Sequence, residues 1–237
     1  MLVVWIPCEA FSSWVDFNIF DEDDFKRPMQ LERLLDNLFG IIAISGIYYH
    51  LRESTTQGAT SFVGSLGAGF RFWGPMFATR FIIWTGILVC AIFPIFVCMY
   101  LNRAIGSYIG LAFGLALATY LYIRMSLCEA IVAGEEMWGF ESAHRSYQLT
   151  KGKFWRTFGW LLGGCAPAAL LGLVIYLPFD LISFTDNWIG DSIGAALADI
   201  PLVFCFCVVW AVFNRLREEE YAAHSVSLSP PESPSVP

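Results

Sequence analysis

The stretch FATRFIIWTGILVCAIFPIFVCM, residues Phe77–Met99, decides the fold class. It runs for 23 residues and holds Arg80 as its single charged side chain. An α-helix needs about 20 mainly apolar residues to cross the hydrocarbon core of a bilayer. The stretch therefore predicts a transmembrane helix.

Apolar runs of similar character recur along the chain. Further spans are predicted at about 34–51, 105–123, 154–179 and 193–213. The run at 34–51 is shorter and contains Asp36, and the run at about 2–15 is too short for a full span. That N-terminal run predicts either a partial first span or an interfacial helix. We expect an all-α, polytopic transmembrane helical bundle of five to six spans over residues 1–223.

The overall composition agrees with a chain that faces lipid. Hydrophobic residues make up 57% of the 237 residues and charged residues 15%, against about 45–50% and about 25% in soluble domains. So little charge cannot cover a surface that faces water. The net charge of −7 also argues against binding to nucleic acid, which favours a basic face. We therefore predict an integral membrane protein whose main partner is the lipid bilayer.

The basic residues indicate how the bundle is oriented. Ten of the 14 Lys and Arg residues fall in one set of alternating loops and four in the other. Because basic residues concentrate on the cytoplasmic side, this asymmetry predicts a cytoplasmic C-terminus and a multi-pass protein of the cell (inner) membrane. Residues 224–237 are rich in Ser and Pro and predict a disordered tail.

Small residues recur at four-residue spacing in two of the predicted spans. The repeats are Gly106, Gly110 and Gly114 in one span, and Gly159 and Gly163 in another. Such spacing lets helix backbones approach closely within a membrane. We favour packing between these two spans of one chain, and an interface in a homodimer is the alternative.

Asp199 is the most notable charge inside a predicted span. Ionisable residues within spans are costly and often line a pathway for a substrate or an ion. The simpler alternatives are an Asp that reaches outward to the interface, or one that pairs with Arg103. Asp199 is thus the pathway candidate.

The longest connection between spans, residues 124–156, concentrates basic and aromatic side chains. The candidates for contact with an anionic lipid or a membrane-protein partner are Arg145, Lys151, Lys153, Trp155 and Arg156. Basic residues near a membrane surface attract anionic lipid by about 1 kcal/mol each, although they can also serve only to fix orientation.

A short helix is predicted in this connection at Met137–Leu149, with Glu141 and Arg145 as a pair four residues apart. No catalytic constellation and no metal-ligand spacing occur along the chain. We therefore expect no enzymatic activity, no cofactor and no metal.

The segment Glu135–Trp160, EEMWGFESAHRSYQLTKGKFWRTFGW, resembles a motif of bacterial membrane proteins, R-S-x-x-L-T-K-G-x-x-W-R-x-F-G. The group includes the membrane domain of glycerophosphoryl diester phosphodiesterases and related uncharacterised integral-membrane families. The positions that match this motif are Arg145, Ser146, Leu149, Thr150, Lys151, Gly152, Trp155, Arg156, Phe158 and Gly159, and the alanine that the group has shortly before the arginine is matched by Ala143.

The resemblance implies a six-helix bundle in the inner membrane. In the phosphodiesterases the catalytic work belongs to a separate soluble domain, so the resemblance does not extend to esterase activity. Two hypotheses follow for function. The first is a non-enzymatic membrane module that binds lipid or a protein partner through its cytoplasmic loop 124–156. The alternative is a small transporter or permease component with a pathway near Asp199.

Overall fold

The computed structural model describes residues 29–56, 61–101, 106–181 and 188–228. Within these ranges the secondary structure is entirely helical, which confirms the all-α class for this part of the chain. The helices are α1 Met29–Thr56, α2 Phe62–Leu101, α3 Gly106–Met125, α4 Cys128–Glu135, α5 Phe140–Thr150, α6 Phe154–Leu181 and α7 Trp188–Leu228.

Three helical stretches of the described residues are long and apolar enough to cross a membrane. They are Phe62–Tyr100, Gly106–Glu135 and Phe154–Ile175, and they correspond to the runs predicted at 77–99, 105–123 and 154–179. Their outer faces carry large exposed apolar side chains such as Phe93, Phe96 and Leu115. Water would penalise so many exposed apolar side chains, so these lengths and surfaces are those of a membrane protein.

The long helices form two sets. α2 packs along α1 on one side and along α3 on the other, whereas α6 packs along α7. α3 and α6 touch each other far less. The short helix α4 contacts α1, α2, α5 and α7, so it joins the two sets at one end of the bundle.

The most deeply buried part of the core surrounds α4. Leu127, Ala130 and Ile131 are fully buried and pack among side chains of α1, α2 and α7. Gly134 lies so close to α7 that an added Cβ would come within 2.9 Å of the Phe213 ring. The neighbouring core side chains are Ile41, Tyr48, Met76, Trp210, Phe213 and Leu216.

The observed helices differ from the predicted ones mainly at their ends. α1 is longer than the run at 34–51, and α7 extends to Leu228, five residues into the segment predicted as a tail. α4 lies in the segment predicted as a loop. α5 begins at Phe140 rather than at Met137, because Glu136 and Gly139 have positive φ angles of 58° and 63° that interrupt the helix. The predicted partial span at 2–15 lies outside the described residues.

The glycines of α3 pack against α2, whereas the sequence analysis favoured packing against the span at 154–179. An added Cβ at Gly106 would overlap the backbone of Cys98, and one at Gly114 would overlap the carbonyl oxygen of Ala91. The pairing follows from connectivity, since α3 begins a few residues after α2 ends and packs beside it as a hairpin. Gly159 and Gly163 of α6 have no atom within 4 Å of an added Cβ, so they contribute no such contact within the described chain.

Candidate functional site

The segment 124–156 folds into α4, α5 and short turns before and after each of them, and the two turns that follow α4 and α5 contain glycines with positive φ. Gly152 has a φ of 74°, a conformation that glycine adopts without steric cost, and the turn is closed by the Lys153 amide, which donates to the Thr150 carbonyl at 3.1 Å. The other turn is fixed to α2, because the amide of Gly139 donates to Oγ1 of Thr79 at 2.7 Å. The segment is therefore an ordered unit that packs on the core.

Arg145 lies at the centre of this unit and binds two carboxylates from different elements. Its Nε donates to Glu135 at the end of α4 at 2.9 Å, and its Nη1 and Nη2 donate to the two carboxylate oxygens of Glu220 on α7 at 2.8 and 2.6 Å. The hydrogen bonds that Arg145 donates to Glu220 and Glu135 raise its pKa above its already high value. The guanidinium thus ties the end of α4 to α7.

The predicted pair between Glu141 and Arg145 does not form. Glu141 lies in the first turn of α5 with an exposed side chain, whereas Arg145 points toward Glu135 and Glu220. Two carboxylates that reach the same partly buried guanidinium offer more Coulomb energy than one solvent-exposed neighbour. Glu141 and Arg145 lie four positions apart on α5 as predicted, but contacts with α4 and α7 determine which carboxylates Arg145 binds.

Lys153 and Arg156 both bind Glu219 of α7. The ammonium of Lys153 donates to Oε2 of Glu219 at 2.8 Å, and the guanidinium of Arg156 donates to Oε1. These two hydrogen bonds, that of Lys153 first, lower the pKa of the Glu219 carboxyl below its ordinary value of 4.5. Arg156 and Arg215 also lie over the Trp160 ring, at 4.4 and 4.7 Å from its centroid.

Lys151 and Trp155 remain available on the outer face of the segment. Trp155 is 77% exposed. Among the described aromatic pairs, its ring meets only the neighbouring Phe154 and Phe158 rings, each in a T-shaped arrangement. Lys151 is exposed and has no ion-pair partner in the described ranges. Phe140, which is 76% exposed, adds another aromatic side chain to the surface of this unit. The five predicted contact residues therefore divide into three that are paired internally and two that are free to meet a ligand.

Arg124 is a buried cation that the sequence analysis did not single out. Only 7% of the residue is exposed, and its guanidinium donates to the hydroxyls of Tyr120 and Thr150, both at 3.2 Å. The charge also lies 5.0–5.7 Å from the ring centroids of Tyr120, Tyr147 and Phe154, where cation–π attraction offsets its desolvation. In the local sequence, these ring contacts are indicated only by Tyr120, the aromatic residue four positions before Arg124.

A second ionic site lies beside α4, where Arg80 meets Glu129. Nε and Nη2 of Arg80 both donate to Oε1 of Glu129, at 2.8 and 2.5 Å. In the sequence, Arg80 stands out only as the single charged side chain of its apolar run. The structure places it on the wall of a cleft of about 400 Å³, whose other lining residues are Ile41, Phe77, Phe81 and Trp84.

The pathway candidate Asp199 lies on α7, and its side chain is outside the described part of the structure, as is Arg103. Its proposed role therefore stays a prediction. Among the described residues, no group of three His, Cys, Asp or Glu side chains is arranged to hold a metal ion.

Comparisons with protein-family models, curated proteins and solved structures found no match for this chain. The resemblance to the membrane domain of the phosphodiesterases therefore stays a prediction from the sequence, based on the motif in residues 135–160, the layout of the spans, the stretch Thr60–Trp73 and the segment Asn214–Glu220.

Proposed function

We propose that this chain is a non-enzymatic membrane module that binds anionic lipid through the segment 124–156. In this proposal the bundle has five to six spans in a bacterial inner membrane, its C-terminus is cytoplasmic, and it is related to the membrane domain of glycerophosphoryl diester phosphodiesterases. The motif in residues 135–160 and the distribution of basic residues support the family and the orientation.

The observation that carries the proposal is that Lys151 and Trp155, four positions apart in the chain, are both exposed at the start of an apolar helix. Tryptophan favours the interface between headgroups and hydrocarbon, and a lysine there attracts anionic headgroups by about 1 kcal/mol. Arg145, Lys153 and Arg156 have carboxylate partners, so their role in this proposal is to position the segment. Lys151 and Trp155 are then the residues that touch lipid.

The proposal can be tested by native mass spectrometry of the detergent-solubilised protein with added phosphatidylglycerol or phosphatidylcholine. The double variant Lys151→Ala with Trp155→Ala should bind phosphatidylglycerol about tenfold more weakly than wild type, which corresponds to about 1.4 kcal/mol. Arg71→Ala is a matched control, because Arg71 is also exposed and also lies near an aromatic ring, that of Phe72 at 5.5 Å.

Unchanged affinity in the double variant would contradict the proposal. A protein that co-purifies with wild type and is lost from the double variant would instead show that the same surface binds a protein partner.

A further inference from the structure

The cleft beside Arg80 is formed by one face of α2 and by α1. Phe77, Arg80, Phe81 and Trp84 follow the spacing of a single helix face, and the fully buried Ile41 of α1 forms the floor. The volume of about 400 Å³ lies within the roughly 300–1,000 Å³ of typical small-molecule sites. The cleft lies within Phe62–Tyr100, one of the helical stretches long enough to cross a membrane.

Phe77 and Phe81 of the cleft wall continue a row of stacked aromatic rings that begins at Trp73, next to the cleft. The centroids of Trp73 and Phe77 are 5.8 Å apart and those of Phe77 and Phe81 are 6.4 Å apart, with planes only 19° from parallel in both pairs. Trp73 is held in place because its Nε1 donates to the Leu38 carbonyl at 2.7 Å. Trp84 packs against Tyr122 of α3 at 6.1 Å. Several of these side chains are thus braced by neighbours, which gives a hydrocarbon chain a preformed surface.

Arg80 supplies one polar group with unused donors to this apolar cleft. A guanidinium has five N–H donors, and the two nitrogens bonded to Glu129 both donate to the same carboxylate oxygen. The third nitrogen, Nη1, has no partner among the described residues, although only 18% of the side chain is exposed. The ion pair with Glu129 explains why a charge is tolerated here, and it leaves Nη1 able to donate to a ligand.

We propose that this cleft binds one anionic phospholipid. A phosphate oxygen of the lipid accepts a hydrogen bond from Nη1 of Arg80, and one acyl chain lies along Phe81 and Trp84. Within the span predicted at 77–99, Arg80 lies in the first turn and Trp84 lies one turn further toward the middle, as a headgroup at an interface requires. The cleft shares no lining residue with the surface formed by Lys151 and Trp155. Lipid binding in the cleft can therefore be confirmed or disproved independently of the proposed function.

The headgroup contact is tested with a charge-neutral pair of variants. Arg80→Gln with Glu129→Gln removes both charges together and keeps a hydrogen-bonding side chain at each position, so neither charge is left unpaired. In native mass spectrometry with added phosphatidylglycerol, we expect this variant to bind the cleft lipid about tenfold more weakly than the otherwise identical protein that keeps Arg80 and Glu129. The matched control is Arg52→Gln with Glu136→Gln, an ion pair at 3.0 Å that does not line the cleft. The control should bind as wild type does.

The chain contact is tested by Trp84→Ala, with Phe96→Ala as control. Both side chains are exposed on α2, at 56% and 69%, but only Trp84 lines the cleft. Trp84→Ala should weaken phosphatidylglycerol binding and Phe96→Ala should not. All samples are compared in the Lys151→Ala, Trp155→Ala background, so that lipid at that surface does not contribute.

Equal binding by all variants would overturn the proposal. So would equal affinity for phosphatidylcholine and phosphatidylglycerol in that background, because the cleft would then lack a preference for anionic lipid. Loss of binding in Trp84→Ala without loss in the charge-neutral variant would remove Arg80 from the site.

Discussion

At the scale of single residues, Arg145 has a role that Lys151 lacks. Arg145 connects Glu135, which is 13% exposed, to Glu220, so its removal leaves a poorly solvated carboxylate without its cation. The planar guanidinium can serve two carboxylates at once, which the single ammonium of a lysine does less well. Lys151 has no ion-pair partner in the described part of the chain and protrudes from the surface.

Replacing Arg145 with alanine should therefore destabilise the folded protein by about 2 kcal/mol, between the small values of exposed ion pairs and the larger values of buried ones. Arg145→Lys should recover only part of the loss. Lys151→Ala, the control, should leave stability within about 0.5 kcal/mol of wild type. Thermal unfolding in one detergent, followed by circular dichroism, measures all three. Equal melting temperatures for Arg145→Ala and Lys151→Ala would show that the two ion pairs carry no net stability.

At the scale of helices, the glycines of α3 let its backbone lie close to that of α2, whereas Gly159 and Gly163 of α6 make no such close contact within the described chain. An added Cβ at Gly110 would lie 2.8 Å from the Cα of Ile95, and the backbone of α2 cannot move aside as a flexible side chain can. An added Cβ at Gly163 would have no neighbouring atom within 4 Å. The two sets of glycines have the same spacing in the sequence but different surroundings.

The variant Gly114→Ala should therefore destabilise the α2–α3 pair by about 1–3 kcal/mol, the usual cost of overpacking. Gly163→Ala should be neutral, or stabilising by up to about 1 kcal/mol, because alanine favours the helix over glycine. Unfolding measurements on both purified variants test this contrast. If Gly163→Ala were instead destabilising and also shifted the protein from dimer to monomer in detergent, Gly163 would belong to the homodimer interface left open by its spacing.

The helices also show which features the sequence could predict. Hydropathy is a local property, so the three candidate spans of the described residues were found from their composition. α4 was missed because Glu129 and Glu135 gave it the polarity of a loop, although its other side chains are buried. The partners of the basic residues were also missed, since Glu219 and Glu220 lie 63–75 positions away in the chain and no local spacing identifies them.

At the scale of the whole molecule, the two sets of long helices are connected mainly at one end. There, α4 packs between them, and the acidic part of α7 binds the basic residues of α5 and of the turn before α6. Glu219 contributes to this connection through Lys153 and Arg156. Its carboxylate must be ionised for these ion pairs to exist, so the connection should depend on pH.

The direction of this dependence follows from the lowered pKa of Glu219. In the unfolded chain the carboxyl titrates near its ordinary value of 4.5, and in the folded protein it titrates at lower pH. Its contribution to stability is therefore fully present above about pH 4.5 and is lost as the pH falls through the lower, folded-state pKa.

The variant Glu219→Gln should melt about 2–4 °C below wild type at pH 7, as expected for roughly 1 kcal/mol from partly exposed ion pairs in a chain of this size. The difference should shrink steadily below pH 4.5, because protonation then removes the same charge from wild type. Glu218→Gln is the matched control, since Glu218 is exposed and forms no ion pair within the described ranges. A melting-temperature difference for Glu219→Gln that persists unchanged down to pH 3 would mean that Glu219 stabilises the protein through packing and not through its charge.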